Sequence, residues 1–246
     1  MSGSAVVADL ARTPLKLGVL IIGSLIWDSS DVRRRWRAER LNVTSRTRVA
    51  VPICYGRKSE SRGKSYTMVF SRRFLDADPT GHAIVVPCRQ DVSATDDLIE
   101  EAERLWGAER NCSRCDCVSG DWGCVSVIEN ENNRLPETLR KGWTQHVAGR
   151  RGYGKICGPG DEPSSVGYDG FLTIPWPLRG SDLQVDALLA TATKPHTKHP
   201  KPLEVAEAWS KGKGKYYIDY FLNNSAHGIT TPQDSRIEDH LRKLWK

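Results

Sequence analysis

The sequence predicts an α+β protein in which a mostly antiparallel, barrel-like sheet is flanked by helices. Segments with strand patterns cluster in one half of the chain, and segments with helical patterns lie between them or follow them. This order differs from the regular alternation of strand and helix in a doubly wound parallel sheet. Because the chain shows no internal repeat and no linker, we expect residues 1–246 to form a single domain.

The apolar run at residues 15–22 predicts the first strand, which ends at Gly23. Three more runs, rich in β-branched and aromatic residues, predict strands at residues 48–55, 65–71 and 82–88. Within the first of these runs, Pro52 indicates a sheet edge or a bulge. We expect residues 61–64 to form a hairpin turn, since Gly63 can adopt a positive φ at little cost.

Helical patterns predict a first helix that begins after Ser29 or Ser30 and ends near Arg40. A second helix is predicted at residues 96–110, and a third at residues 135–147. The remaining predictions are a strand at 123–129, a long loop at 149–167, a short strand or extended segment at 171–174, and helices at about 215–223 and 235–245.

The second predicted helix places a carboxylate on an apolar face. Four apolar residues share this face at about 100° per residue, namely Leu98, Ala102, Leu105 and Trp106. Glu109 continues the same face at the C-terminal end of the helix, where burial and the helix dipole would raise the pKa of its carboxyl. A carboxyl of that kind is suited to general acid or base catalysis. The alternative is that Gly107 ends the helix and leaves Glu109 in solvent.

The composition is that of an ordinary globular protein. The chain has 246 residues, of which 39% are hydrophobic and 27% charged, so a sizeable core is expected. No apolar run approaches the roughly 20 residues of a membrane span. The N-terminal segment lacks the basic region of a signal peptide, and we therefore expect a cytoplasmic protein without membrane contact.

The net charge of +6 favours anionic small molecules or weak contact with a polyanion, without identifying a partner. The densest basic stretch, residues 33–40, lies on the first predicted helix and is interpreted as a solvated helix face. Because there is no arginine-rich tail and no aromatic stacking platform, we do not expect nucleic-acid binding. His196 and His199 lie in a Pro- and Lys-rich connector and are interpreted as exposed connector residues.

Seven cysteines exclude a fully paired disulfide scaffold, and in the cytoplasm most would be reduced. Four of them lie close together in the chain and are a candidate set of zinc ligands, namely Cys112, Cys115, Cys117 and Cys124. The alternative is that these cysteines are reduced thiols beside the sheet, with Cys124 packed as a small hydrophobic residue. On this interpretation we assign no metal. A redox pair would need a lowered thiol pKa, for which Arg110 and Arg114 are the nearby cations.

Several short motifs occur in a suggestive order. Gly23-Ser24-Leu25-Ile26-Trp27 follows the first apolar strand, and Arg34-Arg35-Trp36 comes shortly after it. Further along are residues 48–52 and 66–70, the helix end at 105–110, Tyr220-Phe221-Leu222, Gly228-Ile229 and Asp234. In this order the motifs resemble the gamma-glutamylcyclotransferase-like family, and most closely its ChaC-type branch. The resemblance covers scattered parts of residues 17–110 and 216–245.

The resemblance implies the fold predicted above and an enzyme that converts a gamma-glutamyl amine or peptide, such as glutathione, to 5-oxoproline and an amine. Glu109 matches the catalytic base of the family. The turn Gly23-Ser24-Leu25 matches the loop whose N–H groups would hold the substrate carboxylate and the developing oxyanion. Because the ring closure is intramolecular, no cofactor is expected. Arg48 and Tyr66 are added as candidate substrate-binding residues of the same pocket.

The chain departs from the family pattern at Ile22, where the family has a tyrosine. If that tyrosine donates a hydrogen bond to substrate, Ile22 cannot replace it, and whether the substrate is a gamma-glutamyl compound stays an open question. Residues 111–180 have no counterpart in the family and are expected to form a Cys-rich insertion that reshapes the pocket. The alternative function is a catalytically inactive small-molecule-binding or interaction module on the same fold.

Overall fold

A computed structural model of the chain describes residues 14–60, 63–76, 80–113, 115–156, 164–176, 183–196, 198–211 and 217–245. Within these residues the protein is α+β, with a mixed six-stranded sheet, a separate two-stranded hairpin and flanking helices. The predicted fold class is therefore confirmed at this level. Several predicted features lie outside the described residues, namely turn residues 61 and 62, Arg114, residues 157–163 of the loop, and residues 215 and 216 of a helix.

Eight strands are described: β1 (Leu17–Ile21), β2 (Thr47–Val51), β3 (Ile53–Ser59), β4 (Ser65–Phe70), β5 (Gly81–Pro87), β6 (Ser119–Gly120), β7 (Gly123–Glu129) and β8 (Ala187–Thr193). Six of them form one sheet in the order β2-β5-β1-β8-β7-β6, and β3 pairs with β4 in the hairpin. The pair β1 and β8 is parallel, while the other ladders are antiparallel, as predicted for most of the sheet. No ladder among the described strands joins the edges β2 and β6, so the sheet is open and the barrel-like closure is not confirmed.

Pro52 divides the predicted strand at residues 48–55 into two. Proline has no N–H to donate to a ladder, and the chain leaves the large sheet at this residue and enters the hairpin. Within the described part of the hairpin turn, Gly63 has the predicted positive φ, at 60°. Lys64 N–H then donates to Ser59 O at 2.9 Å and closes the turn.

The described helices are α1 (Asp31–Arg40), α2 (Thr95–Arg110), α3 (Glu137–Val147), α4 (Pro202–Ser210), α5 (Asn223–Ala226) and α6 (Asp234–Leu244), with a π-helical segment at Tyr217–Leu222 before α5. Helix α2 packs on β7 and β8 and between α1 and α3, which buries the apolar face predicted for it. None of the described helices is long and apolar enough to cross a membrane.

An ion pair joins α1 to α2 inside the protein. Arg40 Nη2 donates to Glu101 Oε1 at 2.5 Å, and the Glu101 side chain is 4% exposed. Burial raises the pKa of the Glu101 carboxyl, although its hydrogen bond and charge interaction with Arg40 act in the opposite direction. The pair therefore fixes the relative position of the two helices in a part of the core where an isolated charge would be costly.

Strand β8, helix α4 and the two-residue strand β6 were not predicted from the sequence. Strand β8 contains three alanines, which have low β propensity, yet it is the central partner of β1 and β7. Helix α4 begins with Pro202 at its first position and buries three residues at helical spacing, namely Val205, Ala206 and Trp209. Strand β8 contributes to the cavity described below, and α4 packs on β4 of the hairpin.

Candidate functional site

A cavity of about 530 Å³ opens beyond the carboxyl ends of the parallel strands β1 and β8. Open α/β sheets commonly bind ligands in this position relative to their parallel strands. The structure brings four predicted site residues together in the cavity lining, namely Gly23, Ser24, Leu25 and Glu109.

The turn after β1 is a single 3₁₀ turn at Ser24–Ile26. Trp27 N–H and Asp28 N–H both donate to Ser24 O, at 3.1 and 2.8 Å. The first N–H groups of such a turn have no partner inside it. Because Leu25 and Ile26 are buried, this segment is anchored in the core, and Gly23, Ser24 and Leu25 form part of the cavity wall.

Gly23 makes room for the hydroxyl group of Tyr220. A Cβ atom at residue 23 would lie 3.1 Å from Tyr220 Oη, a closer approach than most real contacts. Tyr220 is itself buried, lines the cavity, and accepts a hydrogen bond from Met68 N–H at 3.1 Å. The structure therefore places a phenol oxygen beside the turn, although residue 22 is isoleucine.

Glu109 lies in the last turn of α2, is half-buried and lines the cavity. The helix continues through Gly107 to Arg110, so the alternative in which Gly107 ends the helix is wrong. Gly107 is instead needed for a close approach after the helix ends, because a Cβ there would lie 2.9 Å from Cys112 O. The left-handed residue Asn111, with a φ of 54°, provides this turn at the helix end.

Arg33 connects the turn to the end of α2. Its Nε donates to Ala108 O at 2.9 Å and its Nη2 to Glu109 O at 3.1 Å. Its Nη1 donates to Ser24 Oγ at 3.3 Å and to Asp28 Oδ2 at 2.7 Å. One guanidinium thus bonds both to the helix end that carries Glu109 and to the turn that carries the N–H groups.

Arg37, one helical turn further along α1, binds the same turn. Its Nη1 donates to Leu25 O at 2.6 Å and its Nη2 to Asp28 O at 2.8 Å. The interpretation of residues 33–40 as a solvated face is correct for Arg34 and Arg35, which are exposed, and wrong for the half-buried Arg33, Arg37 and Arg40.

The charges around the cavity are mostly positive. The lining includes four cationic side chains, Arg33, Arg57, Lys58 and Arg110, and two carboxylates, Glu60 and Glu109. The Arg57 guanidinium lies 4.7 Å from the ring centroid of Trp122, which stacks in turn on Trp106 at 4.7 Å. Because Arg33 is already paired with Asp28, the remaining excess of positive charge is small, and it favours an anionic ligand.

His196 also lines the cavity, at the chain segment that follows β8. Its Nδ1 accepts a hydrogen bond from the main-chain N–H of Lys58 at 3.1 Å, and the main-chain N–H of His196 donates to Gly56 O at 3.0 Å. This arrangement corresponds to a neutral imidazole with its proton on Nε2. The pKa of the imidazole is lowered, mainly because partial burial removes water from the ring and secondly because Arg57 is positively charged. His196 is exposed, as predicted for a connector residue, but its place in the cavity was not predicted.

Thr191 and Thr193 line the cavity from β8. They are two residues apart and therefore lie on the same face of the strand. The Oγ1 atoms of both are buried and have no hydrogen-bond partner among the described residues.

The structure places the other two predicted substrate-binding residues outside the cavity lining. Arg48 is exposed on β2, where its Nε donates to Gly228 O at 2.9 Å and so ties the C-terminal segment to the sheet. Tyr66 is buried on β4, with Lys58 Nζ lying 5.2 Å from its ring centroid. Its neighbours Thr67 and Met68 line the cavity instead.

The cysteines predicted as candidate zinc ligands are divided between two places. Cys115 Sγ and Cys117 Sγ are 3.6 Å apart in the segment after α2, and burial together with its thiol neighbours raises the pKa of Cys115 to about 12. Cys124 is buried at the start of β7 beside Ser126, as its alternative interpretation predicted. Among the described residues, no group of three or more His, Cys, Asp or Glu side chains is arranged to hold a metal ion.

The chain matches no protein-family model, no curated protein and no solved structure. The resemblance to the gamma-glutamylcyclotransferase-like family therefore depends on the short motifs quoted above. The function of the protein has to be argued from the geometry and charge of the cavity.

Proposed function

We propose that the chain is a gamma-glutamylcyclotransferase-like enzyme that releases 5-oxoproline from a gamma-glutamyl amine or peptide. The observation that supports this most directly is that the turn Gly23-Ser24-Leu25 and Glu109 line the same cavity. These two features supply the main-chain N–H groups and the carboxylate that the reaction requires. The proposal includes a barrel-like family fold, a cytoplasmic location and a small-molecule substrate, with no nucleic-acid partner.

In the proposed reaction, the Glu109 carboxylate takes a proton from the α-ammonium group of the substrate. The resulting amine attacks the γ-carbonyl carbon, and the oxyanion that forms accepts hydrogen bonds from N–H groups of the turn. The bond from this carbon to the departing nitrogen then breaks as Glu109 returns its proton to that nitrogen. The ring nitrogen gives up a second proton when it becomes the lactam nitrogen, and the leaving amine carries this proton away as an ammonium ion. Because both reacting groups belong to one molecule, holding the substrate in a folded conformation supplies much of the rate enhancement.

The geometry around the two features supports this assignment. Arg33 binds the main chain at Glu109 and the side chain of Ser24, so the distance between base and turn is held by one rigid group. The positive lining also suits a substrate that carries a carboxylate. Tyr220 places a phenol oxygen beside Gly23, which provides a polar group near the position where the family has its tyrosine.

The test is release of 5-oxoproline by the purified protein from glutathione and from gamma-glutamyl amino acids, measured by chromatography. We expect turnover, and we expect Glu109→Gln to reduce it by about 100-fold or more because the base is lost. Binding of 5-oxoproline to the same variant, measured by calorimetry, should remain close to wild type because the turn is unchanged.

The alternative of an inactive binding module on this fold makes a different prediction for the same experiment. Wild-type protein would then bind 5-oxoproline or a gamma-glutamyl compound without converting it, and Glu109→Gln would leave that binding unaltered. Absence of turnover with every gamma-glutamyl substrate would remove the proposed catalysis. The residue that motivates this alternative is Ile22, which stands in place of the family tyrosine.

A further inference from the structure

Two threonine hydroxyls in the cavity have no described partner. The Thr191 side chain is 5% exposed, and the Oγ1 atoms of both Thr191 and Thr193 are buried without a hydrogen bond to any described residue. A buried hydroxyl without a partner destabilises a folded protein, so such groups are rare unless something else satisfies them. Two on the same face of one strand, both in residues that line a cavity, indicate that a ligand forms the missing bonds.

Sheet register places these residues next to the turn. The parallel ladder pairs Leu20 with Ala190, and beyond this pair both chains continue as cavity-lining segments, residues 22–25 after β1 and Thr191 and Thr193 at the end of β8. Adjacent strands are about 4.8 Å apart, so one small group can reach both chains. Thr191 and Thr193 therefore lie beside the segment whose N–H groups were proposed above to bind substrate.

We infer that Thr191 and Thr193 are specificity-determining residues whose hydroxyls donate hydrogen bonds to the substrate's α-carboxylate. This inference rests on the proposed function, which supplies the substrate class. A carboxylate suits the position because its oxygens accept several bonds at once, from two hydroxyls and from main-chain N–H groups. The cationic side chains Arg33, Arg57, Lys58 and Arg110 around the cavity favour the same charge.

The test replaces each threonine with valine, which keeps the shape and removes the hydroxyl. We expect Thr191→Val to weaken binding of 5-oxoproline, measured by calorimetry, by about 10-fold because a bond to a charged group is lost. The same variant should raise the Tm by about 2–4 °C, since a buried hydroxyl without a partner is removed. Thr193→Val should act in the same direction, and Thr191→Ser, which keeps the hydroxyl, should bind like wild type.

A ligand control separates carboxylate recognition from shape. The compound 2-pyrrolidinone is 5-oxoproline without its carboxylate, and its affinity should be unchanged by either valine substitution. An equal loss of affinity for both compounds would overturn the inference, because the threonines would then act through cavity shape. Unchanged 5-oxoproline binding in both valine variants would overturn it as well.

The two proposals can fail separately. Turnover of gamma-glutamyl substrates with an unchanged KM in both valine variants would overturn this inference and leave the proposed function intact. No turnover, together with threonine-dependent binding of 5-oxoproline or L-glutamate, would overturn the proposed function and keep the carboxylate site. No turnover and no binding of either probe would overturn both.

Discussion

The guanidinium of Arg33 donates a hydrogen bond of 3.1 Å to the main-chain oxygen of Glu109. The same group reaches Ser24 Oγ at 3.3 Å, so one side chain spans the gap between the proposed base and the proposed oxyanion turn. Arg33 does not itself perform a step of the proposed chemistry. It is a positioning residue, and its importance is that main-chain oxygens at a helix end are poorly satisfied without such a donor.

Replacement of Arg33 with lysine tests this positioning role. Lysine keeps the positive charge but cannot form the planar fork that binds Ala108 O and Glu109 O together. We expect kcat for 5-oxoproline release to fall by about 10-fold or more, with a smaller change in KM, because the base and the turn lose their alignment. Arg34→Lys is the matched control, since Arg34 lies on the same helix in an exposed ion pair. Wild-type kcat in Arg33→Lys would refute the role.

His196 is expected to be neutral at pH 7, with its proton on Nε2. Its Nδ1 accepts a hydrogen bond from the main-chain N–H of Lys58. Its pKa lies below the ordinary 6.5 because burial removes water from the ring and because Arg57 is positively charged. NMR of ¹⁵N-histidine-labelled protein measures both the tautomer and the titration midpoint, and His196→Gln identifies the signal by its loss. A midpoint above 6.5, or a proton on Nδ1, would contradict the geometry.

Removing only one partner of the Arg40–Glu101 ion pair should strongly lower the free energy of unfolding. Arg40→Met leaves a nearly buried carboxylate without its main partner, and we expect the free energy of unfolding in urea to fall by about 3–5 kcal/mol. The double variant Arg40→Met with Glu101→Leu should recover much of this loss, because no buried charge remains. Arg35→Met, which breaks an exposed pair with Glu39, should have no measurable effect. An Arg40→Met protein as stable as wild type would refute the argument.

The carboxyl of Asp234 should stabilise the folded protein more at low pH than at neutral pH, the opposite of an aspartate whose pKa is lowered by folding. Thr231 donates to it through its hydroxyl at 2.5 Å and its N–H at 3.0 Å, yet burial raises its pKa from 3.8 to about 6. The folded state therefore binds this proton more tightly than the unfolded state, and the contribution of Asp234 to stability increases as pH falls from about 6 towards 4.

The measurement compares wild type with Asp234→Asn by urea unfolding at several pH values, so that the titration of other carboxyls cancels. The difference in free energy of unfolding should move in favour of wild type between pH 7 and pH 4. A constant difference, or one that moves in favour of the asparagine variant, would show that Asp234 does not titrate as stated.

The fold class and most elements follow from the sequence because their apolar residues have clear periodicity. Helix α2 is an example, since its buried face was visible in the spacing of Leu98, Ala102 and Leu105. Strand β8 was missed because alanine and threonine alternate in it and only two leucines suggest burial. Helix α4 had a recognisable signal in Pro202 at its first position and in the spacing from Val205 to Trp209.

The site was predictable where it depends on local motifs and was missed where it depends on tertiary contacts. The turn at residues 23–25 and Glu109, which line the cavity, were named as candidates because short motifs mark them. Arg33 was not, although the spacing of Arg33, Arg37 and Arg40 places all three on one face of α1, which is an unusual arrangement for solvated side chains. Thr191, Thr193 and His196 required the position of β8 beside β1, and no local pattern contains that information.

The parallel ladder between β1 and β8 has a consequence for how the protein acquires its cavity. At the start of this ladder, Lys16 N–H donates to Asp186 across a sequence separation of 170 residues. Closing so long a loop is entropically expensive, and contacts of this kind form slowly. During synthesis, a nascent chain that has not yet extended past residue 193 has no second wall for the cavity. The complete cavity is therefore formed late, after much of the hydrophobic core has been translated.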